Sequence, residues 1–147
     1  MSTHAAISVV APPGWGDVAP TDDRGIRELV APAGTGFRAS LVLTHFVPPA
    51  GTPSTLEAVH RAALDDLAQT MTDGFVTSES TALIGELPTL RSTVEFRQGR
   101  FRVVATVATW SPGAPRVAVG LCERDRPDDL ATIQAALGSI TDTAAPA

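Results

Sequence analysis

Histidine is the residue type in this chain best suited to acid–base chemistry, and His60 has the most informative surroundings. It follows Val59 on the apolar stripe of a predicted helix, where a histidine is commonly hydrogen-bonded at the edge of a core. Catalysis would require an acidic residue within hydrogen-bond reach inside a cleft. The sequence therefore leaves two interpretations open, an edge-of-core residue and the base of an unrecognised hydrolase or isomerase.

Other reactive residue types form no recognisable motif. The single cysteine, Cys122, ends a predicted strand without a Cys-x-x-Cys or His-x-Cys partner, so we expect a small buried core residue. The chain has no His-Glu-x-x-His sequence for zinc and no Gly-x-Ser-x-Gly sequence for a nucleophilic serine. Its three Asp-Asp pairs fit a turn, a solvated helix face and a helix start. We predict no catalytic residue, no metal and no cofactor.

A second candidate site is a surface for recognition. Arginines on predicted central strands could bind an acidic peptide or a small carboxylate ligand if they converged beside a tryptophan. Tryptophan is also enriched among the residues that dominate binding energy at protein interfaces. The competing interpretation is a solvated arginine face, with Trp15 plugging one end of the sheet. The candidate interaction residues are Trp15, Arg91, Arg97, Arg102, Trp110 and Arg116.

The overall charge narrows the choice of partner. A net charge of −5 repels the phosphate backbones of nucleic acid and anionic lipid surfaces, so we expect binding to neither. Membrane insertion is not expected either, because it requires a long apolar run. The chain contains no lysine, tyrosine or asparagine, which excludes a Schiff-base lysine and a P-loop lysine. The N-terminal residues lack the features of a signal peptide, and no apolar run is long enough for a bilayer. We therefore expect a cytoplasmic protein.

The length and the local patterns predict one α+β domain over residues 1–147, ordered roughly over 5–140. A first strand over 5–11 ends at a double proline, and further strand runs to Phe46. Four more strands follow the first helix. The expected fold is an antiparallel sheet of about six to eight strands, with a long helix on one face and a shorter C-terminal helix on the other.

Two helices are predicted from apolar periodicity and end signals. The long helix covers about 54–73, with Ser54 and Glu57 at capping-box spacing and Gly74 as its terminator. The shorter helix runs from Pro127 to Leu137, where proline and two aspartates suit a helix start. We expect the tail from Thr141 onwards to be frayed.

The two strands before and after Gln98–Gly99 alternate clearly enough to predict a hairpin. Taken as a two-residue loop, Gln98–Gly99 places Phe96 opposite Phe101 and Val94 opposite Val103. One face of the first strand then carries Leu90, Ser92, Val94 and Phe96.

Short segments along the chain keep an order and spacing typical of one fold family. They are Pro13-Gly14-Trp15, the strand into Phe46, Ser54-Thr55-Leu56-Glu57, Asp73-Gly74-Phe75 and Gly85 to Arg91. Over roughly 5–140 the chain resembles the Mog/PsbP-like fold, in particular the actinobacterial LpqN-type and DcrB-like proteins. The resemblance implies an antiparallel sheet with packed helices, members that are mostly accessory, binding or chaperone-like, and no catalytic residue.

These observations give two main hypotheses of function. The first is a non-enzymatic accessory, adaptor or chaperone-like protein whose partner is another protein, for instance a secreted or envelope-associated client. The second is a small-ligand-binding domain with a pocket between the long helix and the sheet. Self-association as a homodimer through an exposed edge strand is compatible with either.

Overall fold

The computed structural model describes residues 7–20, 23–34 and 36–143. Residues 5 and 6 of the predicted first strand, and the last four residues of the predicted tail, lie outside the described residues. The elements are, in chain order, β1 (Ile7–Ser8), β2 (Gly16–Val18), β3 (Gly25–Val30), β4 (Ser40–His45), α1 (Leu56–Ala68), β5 (Thr72–Ile84), β6 (Leu87–Gln98), β7 (Phe101–Trp110), β8 (Arg116–Glu123), α2 (Pro127–Gly138) and β9 (Thr141–Asp142).

Seven strands form one antiparallel sheet in the order β2-β3-β4-β8-β7-β6-β5, and β1 pairs with β9 in a separate two-stranded sheet. Helix α1 packs on β6 and β7, whereas α2 packs mainly on β8. The predicted α+β fold is therefore confirmed, including one helix on each face of the main sheet. The predicted difference in length is wrong, because α1 has 13 residues and α2 has 12.

Strand β7 separates the two cores because successive side chains point to opposite faces of a sheet. Val103, Ala105 and Val107 pack with Ala63 of α1. On the other face, Val104, Ala108 and Trp110 pack with the α2 residues Ile133, Ala136 and Leu137. Both faces of β7 are buried, so this strand contributes to both cores.

Helix α2 approaches the sheet closely at one glycine. A Cβ atom added at Gly120 of β8 would overlap the Cγ2 atom of Ile133, which is fully buried. The missing side chain at Gly120 therefore sets how near α2 can lie to the sheet.

Helix α1 differs from its prediction at both ends. Its N-cap is Thr55, which has extended backbone angles and accepts a 3.2 Å hydrogen bond from the Ala58 amide. The predicted Ser54–Glu57 capping box is therefore wrong by one residue. The helix ends at Ala68, because the chain turns and enters β5 at Thr72; Gly74 lies in that strand and does not terminate the helix.

The β6–β7 hairpin forms with its loop one residue later than predicted. The loop is Gly99–Arg100, so that Gln98 pairs with Phe101 and Phe96 with Val103. Gly99 has φ of 58°, the positive value that tight hairpin loops require at their first position. Each residue's partner moves by two positions, and the predicted assignment of side chains to faces is therefore retained.

Candidate functional site

Two of the predicted interaction residues, Trp110 and Arg116, lie inside the protein. Their exposed fractions are 0% and 4%. Arg116 Nε lies 2.8 Å from Asp142 Oδ2 as a buried ion pair, and Trp110 Nε1 donates a 2.9 Å hydrogen bond to the same oxygen. Thr141 and Asp142 are thus held in β9, which corrects the prediction that the tail frays from Thr141. These buried side chains hold β9 in place through Asp142 and are not accessible to a binding partner.

The other predicted residues do not join Trp110 and Arg116 in one site. Arg97 and Arg102 face each other near the β6–β7 loop, where Arg97 forms an exposed ion pair with Asp73 at 3.2 Å. Arg91 lies six positions earlier in β6, about 20 Å along the strand. Trp15 is half-buried against the α2-side core. The structure therefore brings Arg116 beside Trp110 in the interior, but it does not gather the other arginines beside a tryptophan.

His60 joins helix α1 to two strands through hydroxyl groups. Its Nδ1 atom is 2.8 Å from Thr109 Oγ1, and its Nε2 atom is 2.7 Å from Ser92 Oγ. Burial lowers the pKa of His60; the nearby Glu79 carboxylate raises it and Arg61 lowers it, both to a smaller extent. In the described part of the chain neither ring nitrogen has a carboxylate partner, so the acid–base pair needed for a hydrolase is not formed there.

Sequence reasoning missed Ser92 and Thr109 as the partners of His60. A signal for Ser92 was present, because it is the polar residue on the face of β6 that also carries Leu90, Val94 and Phe96. A buried polar side chain needs a hydrogen-bond partner, and a histidine on the helix covering this face could have been expected.

A groove lies between α1 and the edge of the sheet. Helix α1 covers β6 and β7 but leaves the edge strand β5 open. The resulting cavity has a volume of about 460 Å³. We call it the α1–β5 groove; its lining includes His60, Leu64, Leu67, Met71, Phe75, Val76, Glu79, Leu90, Ser92 and Val94.

The α1–β5 groove is apolar inside and acidic at its rim. Phe75 and Val76 are 50% and 48% exposed, although both are large apolar residues. The rim carries the carboxylates of Glu57, Asp65 and Glu79 and the basic residues Arg61 and Arg91, which leaves one carboxylate in excess. No ion pair joins these groups in the part of the chain that the structure describes. Such a groove suits an apolar segment that carries positive charge.

Three other features of the described residues concern metal ligands, the cysteine thiol and the helices. They contain no group of three or more His, Cys, Asp or Glu side chains placed to hold a metal ion. Burial raises the pKa of Cys122 to about 11, so its thiol is protonated and unreactive at neutral pH. Neither helix in these ranges has the length and hydropathy needed to cross a membrane.

The strand order, the two helices and the long β5–β6–β7 meander define a Mog/PsbP-like α+β domain, as the sequence resemblance predicted. No protein-family model and no curated protein sequence matches the chain. The likeness is to solved structures at low sequence identity, and it shows the fold alone.

Three similar structures illustrate the range of proteins with this fold. LpqN of Mycobacterium tuberculosis, involved in cell envelope biogenesis, has a TM-score of 0.65 at 15% identity, covering 92% of this chain and 82% of LpqN. The Ran-binding protein Mog1p of Saccharomyces cerevisiae has a TM-score of 0.65 at 16% identity, covering 97% and 94%. PsbP of the cyanobacterium Synechocystis has a TM-score of 0.62 at 13% identity, covering 96% and 89%.

Proposed function

We propose that this protein is a non-enzymatic binding protein that holds an apolar segment of another protein in the α1–β5 groove. The observation that carries the proposal is the pair Phe75–Val76, which exposes large apolar side chains at the edge of an apolar cavity. Exposed apolar surface rimmed by polar groups is typical of interaction sites. The Ran-binding Mog1p gives a precedent for protein binding by this fold.

The groove chemistry indicates the kind of segment that binds. Leu64, Leu67, Met71 and Val94 form an apolar floor that flexible Met and Leu side chains can adapt to a partner. The acidic rim favours arginine or lysine beside the apolar anchor. We therefore expect binding that weakens as salt rises, because exposed charge pairs are screened.

A peptide display library tests the proposal even though the natural partner is unidentified. Peptides selected on the wild-type protein should contain apolar anchors flanked by basic residues. Their affinity should fall at least tenfold in Val76→Glu, because the carboxylate adds charge to the apolar wall of the groove.

Val18→Glu is the matched control, since Val18 is also exposed and apolar but lies on β2 at the opposite edge of the sheet. Peptides selected on the protein should bind this variant as tightly as the wild type. The groove is not the binding site if both variants lose the same affinity for the peptides, or if Val76→Glu binds them as tightly as the wild type does.

The same groove favours a second candidate function, the binding of a small apolar ligand. Its volume of about 460 Å³ is within the range of small-molecule sites. Nile red, a neutral fluorescent dye, is a suitable probe. The dye should bind the wild type and be excluded by Leu67→Trp, which fills the groove; a dye that binds both equally would contradict this candidate.

We also propose a chaperone-like or adaptor role in the cytoplasm, with a secreted or envelope-associated client. The acidic, apolar-floored groove supports it, because it suits the basic and apolar segments that such clients expose before export. Photo-crosslinking from position 76 in host cells, followed by fractionation, tests it. Crosslinked products should be clients with export signals; crosslinks confined to resident cytoplasmic proteins would contradict the proposed client class.

A further inference from the structure

The two edges of the main sheet are unequal. Strand β2 has three residues and is followed closely by Pro20, so this edge is short and ends in a residue that cannot extend a ladder. Strand β5 has thirteen residues, and its first ten are all exposed. Its backbone groups on the outer side are therefore available to another strand over a long distance.

Strand β5 lacks the usual side-chain protection of an exposed edge. It contains no proline and no basic residue, and its charges are limited to Asp73 and Glu79. Its irregularities lie in the first half, where the register with β6 shifts before Phe75 and again before Ser78. The second half, from Ser78 to Ile84, pairs with β6 without a register shift, and its residues are exposed up to Thr81.

We propose that the Ser78–Ile84 edge of β5 binds the same edge of a second copy of this chain, as an antiparallel ladder about a two-fold axis at Thr81. The occupant of a sheet edge must be an extended strand, because only that shape satisfies successive backbone groups. Two-fold self-pairing is the commonest symmetry of homo-oligomers.

The charges of the Ser78–Ile84 edge are compatible with its own copy. Centring on Thr81 places Glu79 opposite Leu83, Ser80 opposite Ala82, and Thr81 opposite its symmetry mate. The two Glu79 carboxylates are then offset by four residues, roughly 13 Å along the ladder, so no like charges meet. Leu83, which is 64% exposed, gains a neighbour in the aliphatic part of Glu79. Glu79 is the one charged residue of this edge, so the edge has little charge with which to select a charged strand from another protein.

Pairing of this kind has a consequence for the groove. The two-fold axis of a continuous antiparallel sheet is perpendicular to the sheet, so both α1 helices lie on the same side. The two α1–β5 grooves then open toward each other over a floor of paired β5 strands. This consequence rests on the proposed function of the groove, whereas the dimer itself does not.

Cysteine crosslinking tests the interface directly, because the single native cysteine is buried and unreactive. In Thr81→Cys, the two thiols should meet at the axis and form a disulfide-linked dimer under mild oxidation. Val18→Cys, with an exposed thiol on β2, is the control and should crosslink only at the background rate. Equal crosslinking of the two variants would overturn the proposal.

Analytical ultracentrifugation over micromolar to near-millimolar concentration provides the second test. The wild type and Thr81→Val should dimerise with similar affinity, whereas Thr81→Arg should weaken dimerisation at least tenfold by opposing two charges at the axis. A wild type that stays monomeric throughout would overturn the proposal. Peptide binding by that monomer would show that the groove function stands without it.

Discussion

Replacement of Asp142 by alanine is expected to lower the free energy of unfolding by about 3–5 kcal/mol, the cost of breaking a buried ion pair from one side. The Asp142 side chain is fully buried, and its Oδ2 atom contacts both Arg116 Nε, at 2.8 Å, and Trp110 Nε1, at 2.9 Å. Alanine leaves a buried guanidinium without a counter-charge and an indole N–H without an acceptor. The unmade indole hydrogen bond, about 1–3 kcal/mol, is a part of that total.

Urea denaturation followed by tryptophan fluorescence measures this change, since Trp110 reports on the same core. The matched control is the double variant Arg116→Met/Asp142→Leu, which removes both charges and keeps the volume filled. Exchange of a whole buried pair for apolar side chains is often neutral or stabilising, so the double variant should be more stable than Asp142→Ala. A loss below about 1 kcal/mol in Asp142→Ala is the magnitude of an exposed pair and would show that Asp142 does not stabilise the core as a buried counter-charge.

Three other buried groups have measurable consequences. The pKa of His60 is lowered by burial, so the unfolded chain binds a proton at this residue more readily than the folded chain does. The free energy of unfolding should therefore fall as the pH drops from 6.5 towards the folded pKa. Urea titrations at paired pH values should show a smaller fall for His60→Gln. Gly120→Ala should lower the free energy of unfolding by about 1–3 kcal/mol, because its methyl group overlaps Ile133. The double variant Gly120→Ala/Ile133→Ala should lose less free energy of unfolding than the two single variants added together. The thiol of Cys122 is buried and its pKa is raised to about 11, so it should react with iodoacetamide at pH 8 only after urea unfolds the chain. Mass spectrometry measures the labelling. Rapid labelling of the folded protein would contradict the burial of Cys122.

Local patterns were sufficient for most of the fold. Alternation in β6 and β7 assigned their side chains to the correct faces, and apolar periodicity located α1. The hairpin register was wrong because two adjacent two-residue loops both contain Gly99, and only the position of its positive φ separates them. Strand β2 was not predicted, since three residues are too few for an alternation pattern.

The site was less predictable because its contacts are distant in sequence. His60 meets Ser92 and Thr109, which are 32 and 49 residues away, and no local pattern specifies which helix face covers which strand. Arg116 and Trp110 looked like surface residues for the same reason, since their partner Asp142 lies near the chain end. The α1–β5 groove exists because α1 covers only part of the sheet, which is a property of packing.

Amide chemical-shift mapping with a library-selected peptide shows directly whether the groove binds it, because each backbone amide reports on its own surroundings. Binding in the α1–β5 groove should place the largest shifts at Leu64, Met71 and Val76, with little change at Val18. Shifts concentrated on the α2 face or on β2, with the groove unchanged, would contradict it.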